Sequence, residues 1–237
     1  MGKDKLRKWE ENKSFSHVFE PPIKPHADGA RFEFSGKWNQ EAFATARPLT
    51  LELGCGKGEY SVGLARMYKD RNFVGVDIKG HRFWRGAKDS NEEQLDNVAF
   101  LRARIEFIHH YFGPEEVDQI WLTFSDPQPK HEKHRITGPL FIEKYKQFLR
   151  PGGTIHIKTD NTGLYEWTLE ALQGAGYSID LHTDNVYTEF FQTLDEEWQQ
   201  VMSIRTTMSR NLRSRAAPSS TSVSAPDGLF PENRELL

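Results

Sequence analysis

Short apolar segments alternate with segments of helical periodicity through the middle of this 237-residue chain. The apolar segments predict buried β-strands over residues 49–53, 73–77, 98–101, 117–124, 154–158 and 178–181. Between them, the spacing of apolar side chains predicts helices over residues 59–68, 80–94, 105–112, 139–149 and 164–172. Strands that alternate with helices form βαβ units, so we expect an α/β fold with a mainly parallel, doubly wound sheet.

The two ends of the chain lack this regular pattern. Residues 1–47 are polar, with scattered prolines and aromatic side chains, and they predict a basic N-terminal extension with at most short helices. Residues 48–209 carry the alternating pattern and are predicted to form one domain. The segment that follows is rich in Ser, Ala and Pro, which predicts a disordered tail over residues 210–237.

Composition narrows the class of protein. The single cysteine, Cys55, excludes a disulfide scaffold and a multi-cysteine zinc site. No apolar run approaches the roughly 18–20 residues that a transmembrane helix needs, and we expect a cytoplasmic protein.

The charges are spread unevenly. The 31 Lys and Arg residues against 34 Asp and Glu give a net charge of −3, which by itself argues against a nucleic-acid partner. The basic side chains are nevertheless concentrated in residues 1–14, 130–135 and 205–215. These segments either converge on one polyanion-binding face or are ordinary solvated surface, and charge alone favours the second interpretation.

A glycine-rich turn follows the first predicted strand, with the sequence Glu52-Leu-Gly-Cys-Gly-Lys-Gly. Alternate glycines let a backbone pass close to a ligand, and the start of the next helix favours an anionic group. Glu59 stands where a dinucleotide-binding fingerprint requires its third glycine, and the Gly-Lys-Ser/Thr of a P-loop is absent. Asp77 ends the second strand, where a carboxylate can accept both hydroxyls of a ribose, in NAD as well as in other nucleosides.

The fourth predicted strand runs into the segment FSDPQPKHEKHR. Pro127 and Pro129 stiffen the backbone after Asp126 and direct it out of the sheet. This arrangement predicts an acid fixed over the site, followed by cations that can neutralise phosphates. His131 and His134 lack both the spacing and the third ligand of a metal site, so we expect no metal.

Taken together, these motifs resemble those of the bacterial tRNA (guanine-N7)-methyltransferases, the TrmB family of class I S-adenosylmethionine (SAM) methyltransferases. The resemblance rests on FSDPQPK and HEKHR, on KTDN at residues 158–161, on the glycine turn with its two acids, and on the basic residues 3–8. It spans roughly residues 1–205. It implies a Rossmann-like fold and methyl transfer from SAM to N7 of a guanine in the variable loop of tRNA.

The resemblance also implies roles for individual residues. It implies cofactor contacts for Glu52, Gly54, Gly56, Asp77, Arg104 and Asp126. Asp126 is in addition the implied catalytic residue, placed at both SAM and the target guanine. The implied tRNA contacts are Lys130, Lys133, His134, Arg135, Asp160 and Thr206. A monomer and a homodimer both remain open.

Several positions depart from the family's pattern. Gln128 replaces the usual Trp, and Arg104 lies where an Asp contacts the adenine end of SAM, with Glu106 nearby to compensate. Ser209 stands where the family has a Glu, and no β-like run follows it. The last strand of a class I sheet inserts antiparallel between the fifth and sixth strands, so we expect this C-terminal strand to be missing.

Two other functions remain as alternatives. An NAD-dependent oxidoreductase would use the same acid at Asp77, but Glu59 and the basic arm argue against it. A tRNA-binding protein that has lost catalysis is consistent with Arg104, Gln128 and the unusual C-terminus.

Overall fold

The computed structural model describes residues 3–21, 30–187, 189–207 and 219–224. The strands are β1 (Val18–Phe19), β2 (Leu49–Leu53), β3 (Asn72–Asp77), β4 (Val98–Arg102), β5 (Val117–Thr123), β6 (Leu149–Thr159), β7 (Ile179–Thr183) and β8 (Ser219–Ser224). The α-helices are α1 (Lys3–Asn12), α2 (Trp38–Glu41), α3 (Glu59–Met67), α4 (Gly80–Glu92), α5 (Pro139–Tyr145), α6 (Thr162–Gly174), α7 (Glu189–Thr193) and α8 (Glu196–Ser203). None of the helices in these ranges is long and apolar enough to cross a membrane.

The strands form one sheet in the order β1-β4-β3-β2-β5-β6-β8-β7. The pairs from β1 to β6 are parallel, and β8 runs antiparallel to both of its neighbours. The chain builds the sheet outwards from β2 in one direction and from β5 in the other, as in doubly wound α/β folds. The expected α/β, mainly parallel sheet is therefore confirmed.

Hydrophobic side chains cover both faces of the sheet. Along β2, Leu49, Leu51 and Leu53 belong to one buried cluster, because alternate residues of a strand point to the same face. Phe73 of β3 and Trp121 of β5 belong to a second cluster. Two apolar layers with a central sheet explain why the strands are almost continuously buried and why their sequence lacks alternation.

The N-terminal extension is joined to the same sheet. Strand β1 adds to the edge of the sheet by pairing with β4, and α1 packs against α4. Trp38 is fully buried, its indole N–H donates to the Tyr111 carbonyl at 2.8 Å, and its ring stacks on Phe112. A buried aromatic ring with a satisfied polar atom anchors the extension, so its described residues are part of the fold.

The expectation of a missing C-terminal strand is wrong. Residues 219–224 form β8, which occupies the predicted place between β6 and β7 and is antiparallel to both. The predicted disordered tail over residues 210–237 is thus wrong for these six residues, and the rest of that range lies outside the described residues. The physical reason is that β6 and β7 each present an edge of backbone N–H and C=O groups, which a polar SSTSVS segment satisfies as well as an apolar one.

Two predicted helices differ in extent. The segment predicted as a helix over 105–112 is a 3₁₀ helix, Ile105–His110. The helix predicted over 139–149 ends at Tyr145, because Leu149 already pairs with Val117 as the first residue of β6. Strand β6 therefore begins before Pro151 and continues through Gly152 and Gly153.

Candidate active site

A cleft of about 990 Å³ opens at the carboxyl end of the sheet. It lies where β2 and β5 are neighbours and the chain departs in opposite directions, which is the usual ligand site of such sheets. Most of the predicted site residues line it, namely Glu52, Gly54, Gly56, Asp77, Arg104, Asp126, His134, Asp160 and Thr206. The predicted residues Lys130, Lys133 and Arg135 are not part of its lining.

The glycine turn adopts a backbone conformation that side chains disfavour. Gly54, Gly56 and Gly58 have φ values of 85°, 57° and 75°, in the left-handed region. At Gly58 a Cβ would also lie 2.5 Å from the ring of Phe100. The amide of Gly56 donates to Oδ2 of Asp77 at 3.1 Å, so an acid from the next strand fixes the turn.

Glu52 is a buried carboxylate at the end of β2. Ser61 donates to it from its amide at 2.9 Å and from its hydroxyl at 2.5 Å, and the Thr123 hydroxyl donates at 2.5 Å. Burial raises the pKa of Glu52 to about 7, against the opposing effect of these hydrogen bonds. A carboxylate held in this way gains from the approach of a cationic ligand group, which would restore its charge.

Asp77 and Arg104 lie on the other side of the glycine turn. Besides Gly56, Asp77 accepts a hydrogen bond from the Lys79 amide through Oδ1 at 2.8 Å. Arg104 donates to Oε1 of Glu106 at 2.9 Å, and both side chains line the cleft. Glu106, the acid expected to compensate for Arg104, is therefore paired with Arg104 itself.

The loop that carries Asp126 is backbone-strained on both sides of the acid. Phe124 and Gln128 have φ values of 51° and 43°, which are uncommon for residues other than glycine. Asp126 is exposed, and its Oδ1 accepts a hydrogen bond from the Gln128 amide at 3.1 Å. Its Oδ2 has no hydrogen-bond partner within the residues that the structure describes. Strain of this kind is often concentrated at functional sites, where the surrounding fold enforces it.

The basic arm after Asp126 contains two different kinds of cation. Lys130 and Lys133 are exposed and have no partner in the described part of the chain. Arg135 is only 9% exposed, and its Nε donates to the Pro127 carbonyl at 2.9 Å. Its guanidinium also lies over the ring of Trp167 at 4.4 Å. Arg135 therefore ties the Asp126 loop to α6, a contact that sequence reasoning did not predict.

Asp160 and Thr206 enter the cleft from two further segments. Asp160 follows β6 and is half-buried. The N-cap of α6 is the next residue, Asn161, whose side chain accepts from the Leu164 amide at 2.8 Å. Capping of α6 thus falls to Asn161, and the Asp160 carboxylate is left for a ligand.

The residues present fit SAM. One cleft is lined by the buried acid Glu52, by the turn of left-handed glycines and by Asp77, an acid placed to bind a ribose. Burial raises the pKa of the Cys55 thiol well above its usual value, which disfavours the nucleophilic thiolate. Within the described ranges no group of three or more His, Cys, Asp or Glu side chains is arranged to hold a metal ion.

Sequence reasoning gave no role to Lys158, although it begins the KTDN motif. The Lys158 side chain is buried, and Nζ donates to the Met202 carbonyl in the last turn of α8 at 2.7 Å. The rings of Tyr60, Phe124 and Tyr187 lie 5.7, 6.0 and 5.5 Å from Nζ. Burial lowers the pKa of Lys158 to about 8. A lysine in an apolar strand is the signal that could have identified it.

Three more cations at the cleft were not predicted. Lys57, Lys79 and Arg82 line it on the side of the glycine turn and of α4. None of the three has a side-chain partner among the residues that the structure describes. They come from three separate sequence positions and formed no visible basic run.

Comparison with known proteins places the chain among methyltransferases. Residues 46–208 match the family model described as "Putative methyltransferase". The chain is 46% identical over 187 residues to a tRNA (guanine-N(7)-)-methyltransferase of Bacteroides thetaiotaomicron, covering 79% of this chain and 74% of the relative. It is 48% identical over 187 residues to the enzyme of that name from Christiangramia forsetii, covering 78% and 83%.

Solved structures share the fold. The 16S rRNA methyltransferase KamB superposes with a TM-score of 0.55 at 16% identity, covering 75% of this chain and 87% of its own. A 16S rRNA adenine-N1 methyltransferase from Catenulisporales acidiphilia, solved with its cosubstrate SAM, gives a TM-score of 0.54 at 14% identity, covering 80% and 89%. At these identities the likeness shows the fold alone.

Proposed function

The chain belongs to the tRNA (guanine-N7)-methyltransferase family, and from this premise we propose that it transfers the methyl group of SAM to N7 of a guanine in the variable loop of tRNA. The observation that carries the proposal is the meeting of Glu52, Asp77 and Asp126 in one cleft at the carboxyl edge of the sheet. The three acids come from the ends of β2, β3 and β5, and each has a different environment. The proposed setting is the cytoplasm.

The reaction requires little acid–base chemistry from the protein. N7 of guanine has an exposed lone pair, and no proton has to leave it before it attacks. When bound, SAM supplies a methyl group on a sulfonium, which is a good leaving group. The protein therefore mainly has to hold the nucleophile in line and to stabilise the cationic purine that forms.

Asp126 suits both tasks. Its backbone is fixed by the strained residues Phe124 and Gln128, while Oδ2 remains without a partner in the described residues. A carboxylate in this place can accept a hydrogen bond from the guanine edge and offset the developing positive charge. We assign Asp126 this electrostatic and positioning role and no role as a general base.

The remaining residues divide into cofactor and tRNA contacts. Glu52, Gly54, Gly56, Asp77 and Arg104 surround the cofactor end of the cleft, and Arg104 acts there as a pair with Glu106.

On the tRNA side, Lys130, Lys133, His134 and Asp160 are proposed to face the RNA. Thr206 also lines the cleft, and the tRNA contact implied for it stays a prediction. Arg135, being largely buried, supports the loop instead of contacting phosphate.

The direct test is methyl transfer from labelled SAM to unmodified tRNA, followed by strand cleavage at N7-methylguanine. We expect transfer by the natural chain and a loss of about a hundredfold or more in kcat for Asp126→Ala, because an electrostatic contact to the transition state is lost. Asp89→Ala removes a half-buried acid of α4 that pairs with Arg85 outside the cleft, and it should leave turnover unchanged.

The alternatives give different results. Binding of SAM in a calorimeter would exclude an NAD-dependent oxidoreductase. Binding of both SAM and tRNA by the natural chain, without transfer, would contradict the proposal in favour of a tRNA-binding protein that has lost catalysis.

A further inference from the structure

The last turn of α8 and the residues that follow it are fastened to the body of the protein at several points. We call residues 201–207 the strap. The Tyr60 hydroxyl donates to the Val201 carbonyl at 3.2 Å. Both Lys158 Nζ and the Tyr187 hydroxyl donate to the Met202 carbonyl at 2.7 Å. These carbonyls belong to the last turn of α8, where a cation is favoured by the helix dipole.

The end of the strap lies along one face of α3. Glu59 and Gly63 are four residues apart, so they share a face of this helix. Ile204 packs over Gly63, where an added Cβ would lie 2.8 Å from Ile204 Cγ2. Glu59 binds Thr207 twice: Oε2 accepts from the Thr207 amide and Oε1 from its hydroxyl, both at 2.7 Å.

This attachment closes one side of the cleft. Thr206 and Thr207 line the cleft together with Glu59 and the glycine turn that precedes it. Thr206 is only 8% exposed, which shows how closely the strap is seated. The glycine turn follows Glu52, so the strap covers the cofactor end of the cleft.

We propose that Glu59 is a positioning residue that holds the strap closed over the methionine end of SAM. The proposal rests on the function proposed above. Glu59 occupies the place of the third glycine in a dinucleotide-binding turn. In this chain, therefore, a side chain that latches the cleft stands where that turn would have a glycine.

A direct electrostatic contact between Glu59 and SAM is the competing explanation, and glutamine separates the two. In Glu59→Gln the amide oxygen can accept from the Thr207 amide, and the amide N–H can donate to the Thr207 hydroxyl. The latch is then kept while the negative charge is removed. Glu59→Ala removes both the latch and the charge, and Thr207→Val removes only the hydroxyl half of the latch.

The experiment measures the Kd for SAM by calorimetry, and KM and kcat for methyl transfer to tRNA. We expect Glu59→Ala to raise Kd and KM for SAM about tenfold, the effect of losing hydrogen bonds to a charged group. Its kcat should stay within about twofold of the natural chain, because the reacting groups are untouched. Glu59→Gln should retain the natural affinity, and Thr207→Val should fall between the natural chain and Glu59→Ala.

Glu93→Ala is the matched control. It removes a glutamate that makes two hydrogen bonds to Arg66 near the other end of α3, outside the cleft. Its affinity for SAM should match that of the natural chain. If Glu59→Gln binds SAM as weakly as Glu59→Ala, or if Glu59→Ala binds normally, the positioning role is wrong.

Hydrogen exchange at the Thr207 amide supplies a second readout. Exchange should accelerate in Glu59→Ala and remain slow in Glu59→Gln. If the natural chain binds SAM but does not methylate tRNA, the proposed function is wrong. The comparisons of Kd and of hydrogen exchange still test whether Glu59 holds the strap closed. Should Glu59→Ala not fold, Thr207→Val carries the same comparison.

Discussion

At the scale of single residues, burial decides how Glu52 behaves. The carboxylate is 3% exposed, and burial raises its pKa to about 7 even though Ser61 and Thr123 donate to it. In the unfolded chain the same group has a pKa near 4.5. Between these two values the folded protein binds more protons than the unfolded chain, so this group's contribution to stability falls as the pH rises from about 4.5 to 7.

The same shift predicts a pH-dependent affinity for SAM. A ligand amino group next to Glu52 favours the ionised carboxylate, so binding below pH 7 releases a proton. We expect the affinity to rise by up to about tenfold per pH unit towards pH 7 and to level off above it. Calorimetry across this pH range measures the affinity. Repeating it in buffers of different ionisation enthalpy measures the number of protons released on binding.

Glu52→Gln provides the comparison. It should bind SAM more weakly and without this pH dependence. An equally steep pH profile in Glu52→Gln would contradict the assignment to Glu52.

The sequence around Asp126 predicts only part of the environment of this residue. The two prolines after it predict a stiff loop directed out of the sheet. The positive φ values of Phe124 and Gln128 and the support from Arg135 were not visible. A sequence shows which residues are cationic, but only packing shows that Arg135 is buried while Lys133 is exposed.

At the scale of elements, β8 completes the sheet. Thr221 lies opposite Ile157 of β6 and opposite His182 of β7, so β8 has a neighbour on each side. Its composition, with four serines, gives a weak strand signal. The element forms because two strands that were predicted correctly need a shared partner, and this need is a property of the sheet.

Proline in this strand tests its importance. Thr221→Pro removes an amide hydrogen from a strand that is paired on both sides. We therefore expect it to reduce the free energy of unfolding by about 3 kcal/mol. Chemical denaturation followed by circular dichroism measures the difference. Thr221→Val keeps the amide and the β-branched shape, and it should stay within about 0.5 kcal/mol of the natural chain. Equal midpoints for the proline and valine variants would show that β8 contributes little.

At the scale of the whole molecule, the net charge of −3 conceals a basic rim around the cleft. Lys57, Lys79 and Arg82 line the cleft, and the exposed Lys130 and Lys133 follow the Asp126 loop, which also lines it. Helix α1, with its four basic residues, packs against α4, which carries Arg82. Charge alone had favoured ordinary solvated surface for the basic segments, and their convergence on one polyanion-binding face stays a hypothesis; residues 208–215 lie outside the described residues.

This distribution predicts how salt affects tRNA binding. If Lys79 and Lys130 each bind one phosphate, Lys79→Ala and Lys130→Ala should each weaken binding and reduce the slope of log K against log salt by about one. Filter binding or fluorescence anisotropy over a salt series measures the slope. Lys88→Ala is the control, because Lys88 is paired with Glu11 and should leave the slope unchanged. Equal slopes in all variants would show that neither Lys79 nor Lys130 contacts the RNA.

The sequence by itself determined the parallel core of the sheet and the positions of the glycine turn and the acids at the ends of its strands. Apolar strands, the glycine turn and the acids at strand ends are local patterns, and the topology of βαβ units brings strand ends to one edge without further information.

Tertiary structure alone decided β8, the buried Lys158 and Arg135, and the latch between Glu59 and Thr207. Each of these depends on groups far apart in the chain whose backbone or charge must be satisfied once they are buried. That requirement arises only after the core has formed, so no local pattern records it.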